Sequence, residues 1–320
     1  MFRRLLTLNE ARRTIDQHFK PKPIGVEEIP LLDALDRVLA HDATASLDIP
    51  PFNRSTVDGY AVKAKDTFGA EENKPIKLKV YGTVNVGEPT EIVVKEGLAA
   101  EIVTGAPIPE GADAVVMFED TERKDDYLYV YNAVTKDENV MKAGADIEKG
   151  DTILHARQVL GSREIGALAA VGLAKTKVFK IPQIAVLSTG PEITEPGKKL
   201  LPGKIYDINA YSLSVAVRES GGKPVYLGVF PDNLVDLTKA FKHALASADM
   251  VVSSGGVSVG PKDVVPKALD SLGKPGVIVC GIAINLESLR LWLWLMGSLF
   301  FRFRVIQLLR CWCFICLCVQ

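Results

Sequence analysis

The sequence predicts a multidomain protein of the α/β and β classes. Residues 53–150 contain short strand-like runs separated by Gly- and Pro-rich turns, which indicate a small β-rich domain. From about residue 180, strand-like runs alternate with helix-like segments, which indicates βαβ crossovers and a mostly parallel sheet. The chain has 320 residues, which is enough for roughly two or three domains with cores of their own.

The region before the β-rich domain predicts two helices. Residues 8–20 place Leu8, Ala11 and Ile15 among charged residues, a spacing typical of a short amphipathic helix. Ile29–Leu39 shows a similar spacing and predicts a second helix. Residues 46–52 are expected to be extended, because a residue that precedes proline is disfavoured in the α region.

The β-rich domain and its exit are predicted from apolar runs and turn residues. Strands are expected at Ile76–Tyr81, Glu91–Val94, Ala114–Phe118 and Tyr127–Val134. A helix is expected at Ser162–Val171, with Ser162 as the N-cap and Glu164 in the first turn.

The α/β region is predicted to alternate regularly. The expected strands are Gln183–Leu187, Pro224–Val229, Met250–Ser253 and Val277–Cys280, and the expected helices are Asn209–Glu219, Asn233–Ala246 and Asp263–Leu272. Ligands of such sheets bind at loops that leave the carboxyl ends of the strands. Two of these loops, residues 188–192 and 253–260, are rich in glycine and polar residues, and their strand ends are expected at the same sheet edge.

Composition excludes several classes of function. Lys plus Arg total 38 and Asp plus Glu total 39, so the net charge of -1 offers no global field for nucleic acid or an anionic membrane. Cys280 is the only cysteine before residue 311, which favours a reducing, cytoplasmic location. The first residues lack a long apolar stretch, so no signal peptide is expected. The four histidines show no zinc spacing.

The glycine-rich segment 253–263 is the first candidate binding element. Its three glycines and three serines allow backbone amides to face an anion, and Lys262 adds positive charge. A plain strand-to-helix turn is the better interpretation of such a loop on its own. The segment matches neither nucleotide-binding glycine fingerprint, and neither Ser188 nor Ser253 lies in a nucleophile elbow.

Several carboxylates and one threonine occur in tight, polar turns. Asp58 precedes Gly59, Thr104 precedes Gly105, and Asp146 and Asp232 lie in ordinary turn contexts. Each is explained by its turn when taken alone. Together with Glu192 and Asp263, the aspartates offer the hard oxygen ligands that Mg²⁺ prefers.

Five strings in a fixed order give the sequence a family resemblance over about residues 5–284. They are Pro51-Phe52 with Asp58-Gly59-Tyr60-Ala61, Thr104-Gly105-Ala106 with Pro109-Glu110-Gly111, Ser188-Thr189-Gly190 with Glu192, Tyr206-Asp207 with Asn209, and residues 253–260 before Asp263. With these strings the chain resembles the MoeA/gephyrin E-domain family of molybdopterin molybdenumtransferases. Each string is weak alone, but the ordered combination is specific.

The resemblance implies a domain plan. An elongated helical arm is expected from residues 1–50 plus 148–180, an inserted β-rich domain from 51–147, and a three-layer α/β molybdopterin-binding domain, shortened, from 181–284. Residues 285–320 are expected to form an aberrant hydrophobic tail in place of a C-terminal β domain. The family's subunits form homodimers, with the site expected between subunits.

The resemblance also implies the chemistry. The family inserts molybdate into adenylylated molybdopterin, releases AMP and requires Mg²⁺; a molybdopterin adenylyltransferase is the implied substrate donor. The implied catalytic residues are Asp58, Thr104, Asp146, Glu192, Asp232 and Asp263, with Glu192 and Asp263 near the metal and phosphates. The implied substrate-binding residues are Gly190, Ser254, Gly255, Gly256 and Ser258. A non-catalytic scaffold and a pterin- or nucleotide-binding module without the insertion step are the alternatives.

The sequence departs from this resemblance after Ile284. Lys-Pro-Gly-Lys-Pro is expected there, but the chain reads Asn285-Leu286-Glu287 and continues into a Trp-, Leu- and Cys-rich tail. A membrane anchor is disfavoured, since arginines interrupt the tail before any run reaches ~18 apolar residues. A thiolate metal clamp at residues 311–318 has no other support.

A shifted reading frame explains the tail better. The genetic code allows codons for the residues from Asn285 onward that encode a different string when they are read one base out of frame. That string contains Pro-Gly-Lys-Pro and then Leu-Pro-Gly-x-Pro-x-Ser-Ala at the expected spacing. The tail is therefore expected to be out of frame, poorly packed and incompatible with activity, beside an unpaired sheet edge.

Overall fold

A computed structural model describes residues 6–255, 264–279, 282–283 and 314–318. The chain forms two compact units, one of residues 28–178 and the other of residues 1–27 and 179–320. Residues 28–50 and 148–178 of the expected arm lie in the same unit as the β-rich segment 51–147, whereas residues 1–27 lie in the other unit. The finer domain boundaries stay a prediction.

The secondary structure is mixed. The helices are α1 (Leu8–His18), α2 (Ser162–Ala170), α3 (Asn209–Glu219), α4 (Leu234–Ser247) and α5 (Val265–Asp270). Short 3₁₀ helices occur at Leu31–Asp33, Ala64–Thr67 and Phe118–Asp120.

The strands are β1 (Leu6–Thr7), β2 (Val26–Pro30), β3 (Ala43–Thr44), β4 (Arg54–Ser55), β5 (Gly59–Val62), β6 (Ile76–Val84), β7 (Leu98–Ile102), β8 (Ala114–Met117), β9 (Thr121–Lys124), β10 (Tyr127–Val130), β11 (Val140–Met141), β12 (Thr152–Leu154), β13 (Lys175–Phe179), β14 (Gln183–Thr189), β15 (Ile193–Thr194), β16 (Ile205–Tyr206), β17 (Lys223–Phe230), β18 (Met250–Ser254), β19 (Ile282–Ala283) and β20 (Phe314–Cys318).

The unit of residues 28–178 contains a six-stranded sheet in the order β8-β5-β7-β6-β10-β9. Alternation along β5 sends Tyr60 and Val62 into one apolar cluster and Ala61 into another on the opposite face. Gly59 begins β5 because an added Cβ would lie 2.0 Å from the carbonyl oxygen of Val116. The strand end that carries Asp58 is therefore held tightly against β8.

The rest of this unit is less helical than the expected arm. Among the described residues of 28–178, α2 is the only α-helix, and it packs Leu168 against Leu39 and Val178. The strand pairs β3–β12, β2–β13 and β4–β11 supply further backbone pairing. Gly161, not Ser162, is the N-cap of α2, and the Glu164 carboxylate accepts from the Gly161 N–H at 2.9 Å.

The helix expected at Ile29–Leu39 is wrong. Residues 26–30 form β2, and only Leu31–Asp33 turn, as a 3₁₀ helix. Pro30 lacks the N–H that a continuous helix needs, and Asp36 has φ 61°. Leu32 and Leu35 are exposed, so the helical spacing of apolar residues does not define a buried face.

The α/β unit has three layers. Its sheet has the order β17-β14-β18-β20, in which β14 pairs in parallel with both β17 and β18. On one face Val186 and Val252 pack against Leu213 and Val217 of α3. On the other face, the core includes Leu187 of β14 and Phe241 of α4, together with α5 residues. The predicted mostly parallel sheet flanked by helices is confirmed.

Two predicted strands are absent from the described residues. At Glu91–Val94 the backbone forms only an isolated bridge between Val93 and Glu110. In Val277–Cys280, residues 277–279 are not a strand, because the Val277 N–H is held by the Asp270 carboxylate at 2.8 Å; Cys280 lies outside the described residues. The Tyr127 strand ends at Val130, earlier than expected.

The sheet edge beside β18 is covered. Residues 314–318 of the tail form β20, which pairs antiparallel with β18 in the register Met250↔Cys318 to Ser254↔Phe314. The expectation of an unpaired sheet edge beside the tail does not hold at β18, where residues 314–318 pair with the strand. An exposed strand offers a row of N–H and C=O groups, and an apolar segment satisfies that row by adding a strand.

Candidate functional site

The carboxyl ends of β14 and β18 meet at one edge of the sheet and frame a cavity of about 260 Å³. Glu192 and Gly255 both line this cavity, so the predicted placement of their two loops at the same edge is confirmed. Its lining residues are Ser188, Thr189, Glu192, Ile193, Ile205, Tyr206, Asp207, Ile208, Asn209, Ser254 and Gly255.

Two glycines allow the loops to come together. Gly255 has φ +98°, and an added Cβ would lie 2.0 Å from the carbonyl oxygen of Thr189. Gly190 has φ +150°, and its Cβ would lie 2.9 Å from both carboxylate oxygens of Glu192. Both positions favour glycine because of backbone conformation and space. The Glu192 carboxylate therefore folds over the backbone of its own loop.

The sequence order of each strand explains the polar floor of the cavity. Ile184, Val186 and Ser188 alternate onto the face that α3 covers, and Ser254 lies beside Ser188 in the register of β18. Ser188 is 2% exposed, and its hydroxyl has no hydrogen-bond partner in the described part of the chain. Leaving a buried hydroxyl unpaired costs about 1–3 kcal/mol, so Ser188 offers a hydrogen-bonding group at the cavity wall.

The first turn of α3 organises one wall. The Asp207 carboxylate is buried and accepts from the Ala210 N–H at 3.0 Å and from the Tyr226 hydroxyl at 3.2 Å. Burial, followed by the charge of Asp207, raises the pKa of Tyr226 far above its usual value, so Tyr226 stays a donor. Asn209 Nδ2 donates to Ser254 Oγ at 2.7 Å and ties α3 to the end of β18.

Of the other predicted residues of this unit, one lies next to the cavity and three lie outside the described residues. Asp232 follows β17, and its carboxylate accepts a hydrogen bond from the Thr189 hydroxyl, which brings it next to the cavity lining. Gly256, Ser258 and Asp263 lie outside the described residues. Within the described part of the chain there is no cluster of three or more side chains suited to hold a metal.

In the unit of residues 28–178, the structure brings two predicted residues together. Asp58 Oδ1 accepts from the backbone N–H of Thr104 at 2.7 Å and from its hydroxyl at 2.9 Å. Both bonds favour the charged carboxylate, and they lower the pKa of Asp58, the backbone bond most. Asp146 lies in an exposed turn, where its backbone N–H donates to Ile49.

The Asp58–Thr104 pair gives a test by NMR titration. Thr104→Val is expected to bring the Asp58 pKa part of the way back to 3.8, because one of the two donors is lost and the backbone donor remains. A depressed carboxyl pKa adds stability above the unfolded value, and this is lost as pH falls through the folded pKa. Thr90→Val, which leaves the pair intact, serves as the control. An unchanged Asp58 pKa in Thr104→Val would contradict the assignment.

Sequence reasoning missed three residues of the cavity. The motifs of the family resemblance include Ser188, Asp207 and Asn209, but no role in the site was predicted for these residues. Their signal is positional. Ser188 is the polar end of an apolar alternation, Asp207 lies just before α3, and Asn209 is the first residue of α3. Tyr226 carries no comparable signal, because only the fold places its hydroxyl near Asp207.

The fold and the cavity define a class, an α/β ligand-binding domain whose site lies at the carboxyl ends of parallel strands. Two family models match the chain: "MoeA N-terminal region (domain I and II)" over residues 6–172 and "Probable molybdopterin binding domain" over residues 185–290. The chain belongs to the MoeA family.

Individual relatives agree with this family. The chain is 34% identical to a molybdopterin molybdenumtransferase of Haemophilus influenzae, over 84% of this chain and 66% of that protein. It is 36% identical to one of a Nostoc species, over 77% of this chain and 57% of that protein. The chain thus spans less than two thirds of the length of these relatives.

Solved structures show the same fold. A molybdopterin biosynthesis MoeA protein from Pyrococcus horikoshii superposes with a TM-score of 0.77 at 42% identity, covering 85% of this chain and 68% of that one. A second from the same organism gives 0.70 at 34% identity, covering 80% and 68%. No helix in the described ranges has the length and apolar character needed to cross a membrane.

Proposed function

We propose that this chain belongs to the machinery of molybdenum cofactor biosynthesis and descends from an enzyme that inserts molybdate into adenylylated molybdopterin with release of AMP. The observation that carries the proposal is the cavity at the ends of β14 and β18, where Gly255 packs on Thr189 beside Glu192. Relatives that share this region are named molybdopterin molybdenumtransferases, which supports the assignment.

In this proposal the described residues hold the substrate and orient it. The backbone of Gly190 and Gly255 allows close approach of a ligand, and Ser254 is fixed by Asn209. Asp232 orients the Thr189 hydroxyl at the cavity wall. Asp58, Thr104 and Asp146 remain candidates through the family resemblance, as do Gly256, Ser258 and Asp263.

Mg²⁺ is part of the proposal. The exposed carboxylate of Glu192 is a ligand type that Mg²⁺ prefers, and Asp263 would be the second protein ligand. When bound, the metal would neutralise phosphate charge as AMP leaves. Of these two proposed ligands, only Glu192 lies in the described part of the chain. The proposal of a metal therefore depends on the family resemblance and on the preference of Mg²⁺ for carboxylate oxygens.

The proposed assembly is a homodimer that receives its substrate from a molybdopterin adenylyltransferase in the cytoplasm. Exposed apolar side chains support a protein interface in the unit of residues 28–178. Leu32 is 92% exposed, and Leu35 and Val159 are also exposed. The Asp36 N–H donates to the Leu160 carbonyl at 2.9 Å, so these segments are neighbours. Sedimentation equilibrium of the chain and of Leu32→Ser tests the dimer.

Calorimetric titration tests the function. Adenylylated molybdopterin is expected to bind the chain, and molybdate is expected to alter that binding. A pterin-binding module without the insertion step would bind the ligand without a response to molybdate. A non-catalytic scaffold would bind neither, and this outcome would refute the proposal.

Glu192→Ala gives a catalytic prediction for a version of the chain with its reading frame restored. AMP release is expected to fall at least about tenfold, while stability changes by less than about 0.5 kcal/mol because Glu192 is an exposed loop residue. Glu219→Ala, at the exposed end of α3, is the matched control and should leave both quantities unchanged. Normal turnover in Glu192→Ala would remove Glu192 from the site.

A further inference from the structure

The helix α3 connects the two strands that flank β14. The sheet order places β17 on one side of β14 and β18 on the other, so these two strands are not hydrogen-bonded to each other. Leu213 of α3 belongs to one apolar cluster with Val186 of β14 and Val252 of β18. The Tyr211 ring of α3 contacts the Tyr226 ring of β17, with centroids 5.7 Å apart. Contacts through α3 therefore join β17 to β18.

Tyr226 holds the carboxylate that precedes the first turn of α3. Its hydroxyl donates to Asp207 Oδ2 at 3.2 Å, while Asp207 Oδ1 accepts from the Ala210 N–H at 3.0 Å. Asp207 is 2% exposed, so a carboxylate oxygen that lost its donor would be costly there. Burial raises the pKa of Tyr226, and the negative charge of Asp207 raises it further, so the hydroxyl keeps its proton. The two bonds together fix the carboxylate at the start of α3.

The same turn of α3 holds the end of β18. Asn209, the first residue of α3, donates through Nδ2 to Ser254 Oγ at 2.7 Å. Ser254 is buried, and the next residue is Gly255, whose backbone lies against the carbonyl of Thr189. The segment of Ser254 and Gly255 is therefore held between β14 on one side and the first turn of α3 on the other.

We propose that Tyr226 is a positioning residue for the proposed site. Through Asp207 and the first turn of α3, its hydroxyl holds Ser254 and Gly255 in the arrangement that receives the substrate. Tyr226 is not part of the described lining of the cavity, so it acts through Asp207 and not on the substrate. This inference rests on the proposed function, because it assigns to Tyr226 a task in forming that same site.

Two matched substitutions separate the hydroxyl from the ring. Tyr226→Phe keeps the ring and its contact with Tyr211, and it removes only the donor to Asp207. Tyr211→Phe is the control, because it removes a hydroxyl from the neighbouring ring that takes no part in the described hydrogen bonds of Asp207. A residue that served only to pack its ring would make the two variants alike.

Hydrogen exchange followed by mass spectrometry measures the arrangement without a ligand. In Tyr226→Phe, amides of residues 207–211 and 250–255 are expected to exchange about three- to tenfold faster, the value of one hydrogen bond. Amides of α4, and all amides of Tyr211→Phe, should keep their rates. If α4 amides accelerate as much as residues 250–255, the hydroxyl supports the whole unit and the positioning role is overturned.

Asp207→Ala tests whether Tyr226 acts through Asp207. Without the carboxylate the Tyr226 hydroxyl has nothing to hold, so adding Tyr226→Phe to Asp207→Ala should change exchange of residues 250–255 by less than about twofold. Asp207→Ala alone should accelerate that exchange. Unchanged exchange in a folded Asp207→Ala chain overturns the inference even if Tyr226→Phe does not fold, and so do additive effects of the two substitutions.

Titration with adenylylated molybdopterin separates this inference from the proposed function. Tyr226→Phe is expected to bind the ligand about three- to tenfold more weakly than the unchanged chain, and Tyr211→Phe is expected to bind it equally well. If Tyr226→Phe binds as tightly as the unchanged chain, the positioning role fails and the proposed function stands. If the unchanged chain does not bind but exchange responds as expected, the proposed function fails and the restraint of Gly255 by Tyr226 stands.

Discussion

Gly255→Ala is expected to abolish measurable binding of adenylylated molybdopterin and to destabilise the α/β unit. The added Cβ would lie 2.0 Å from the Thr189 carbonyl oxygen, which belongs to the backbone of β14 and has little freedom to move. The φ of +98° adds strain of about 1–3 kcal/mol for a residue with a side chain. The two loops must separate to relieve the contact, and the cavity opens with them. Calorimetric titration and urea denaturation measure the two effects.

Gly197→Ala separates backbone strain from steric contact. Gly197 has a similar φ of +89°, but no other atom lies within 4 Å of the position that an alanine methyl group would occupy. This control should lose about 1 kcal/mol of stability and retain binding. If Gly255→Ala bound the substrate as tightly as Gly197→Ala, close approach of the two loops would have no part in recognition.

The second large effect concerns the reading frame. Inserting one adenine at the codon of Asn285 is expected to give a longer protein with insertion activity, and the present chain is expected to have none. The physical reason is that the shifted frame offers Pro-Gly-Lys-Pro, whose lysine supplies a positive charge that the described cavity lining lacks. Genomic sequencing across this codon, followed by an AMP-release assay on both chains, provides the measurement.

A direct observation would contradict the frame proposal. If the genomic codons are intact as read and the present chain supports molybdate insertion, residues 285–320 are a natural segment of a working enzyme. The strand Phe314–Cys318 already shows that part of this segment pairs in register with β18, at least along the backbone. An active chain would make that strand an integral element of the sheet.

The helices and strands of the α/β unit could be predicted from the sequence because their apolar residues follow simple periodicities. The predicted helix Asn209–Glu219 has the observed bounds, and the strands β14, β17 and β18 differ from prediction by one or two residues at their ends. Apolar runs between turn residues define such strands.

The failures arise where apolar spacing does not imply burial. In the predicted helix Ile29–Leu39, the side chains of Leu32 and Leu35 are exposed, and strand pairing with β13 determines the backbone conformation instead. At Val277, a single carboxylate from the preceding helix holds the backbone N–H that a strand would have used. Both depend on tertiary contacts that no local pattern specifies.

The candidate site was predictable in part. Glycine-rich turns after strands located the loops, and the family resemblance assigned a role to Glu192 within one of them. Local sequence could not reveal that Asp58 and Thr104 pair, because 46 positions separate them. Nor could it reveal the unpaired hydroxyl of Ser188, since pairing depends on which atoms the neighbouring strand and helix present.

The alternation along β14 and β18 has an evolutionary consequence. The same face carries Ile184 and Val186, then Ser188, while its neighbour carries Val252, then Ser254. Core packing and cavity lining thus occupy successive positions on one face of the sheet, two residues apart. Mutational drift at the last position can alter what the protein selects while the aliphatic positions continue to hold the sheet to its helix. New specificities can therefore arise in this scaffold without passing through unfolded intermediates.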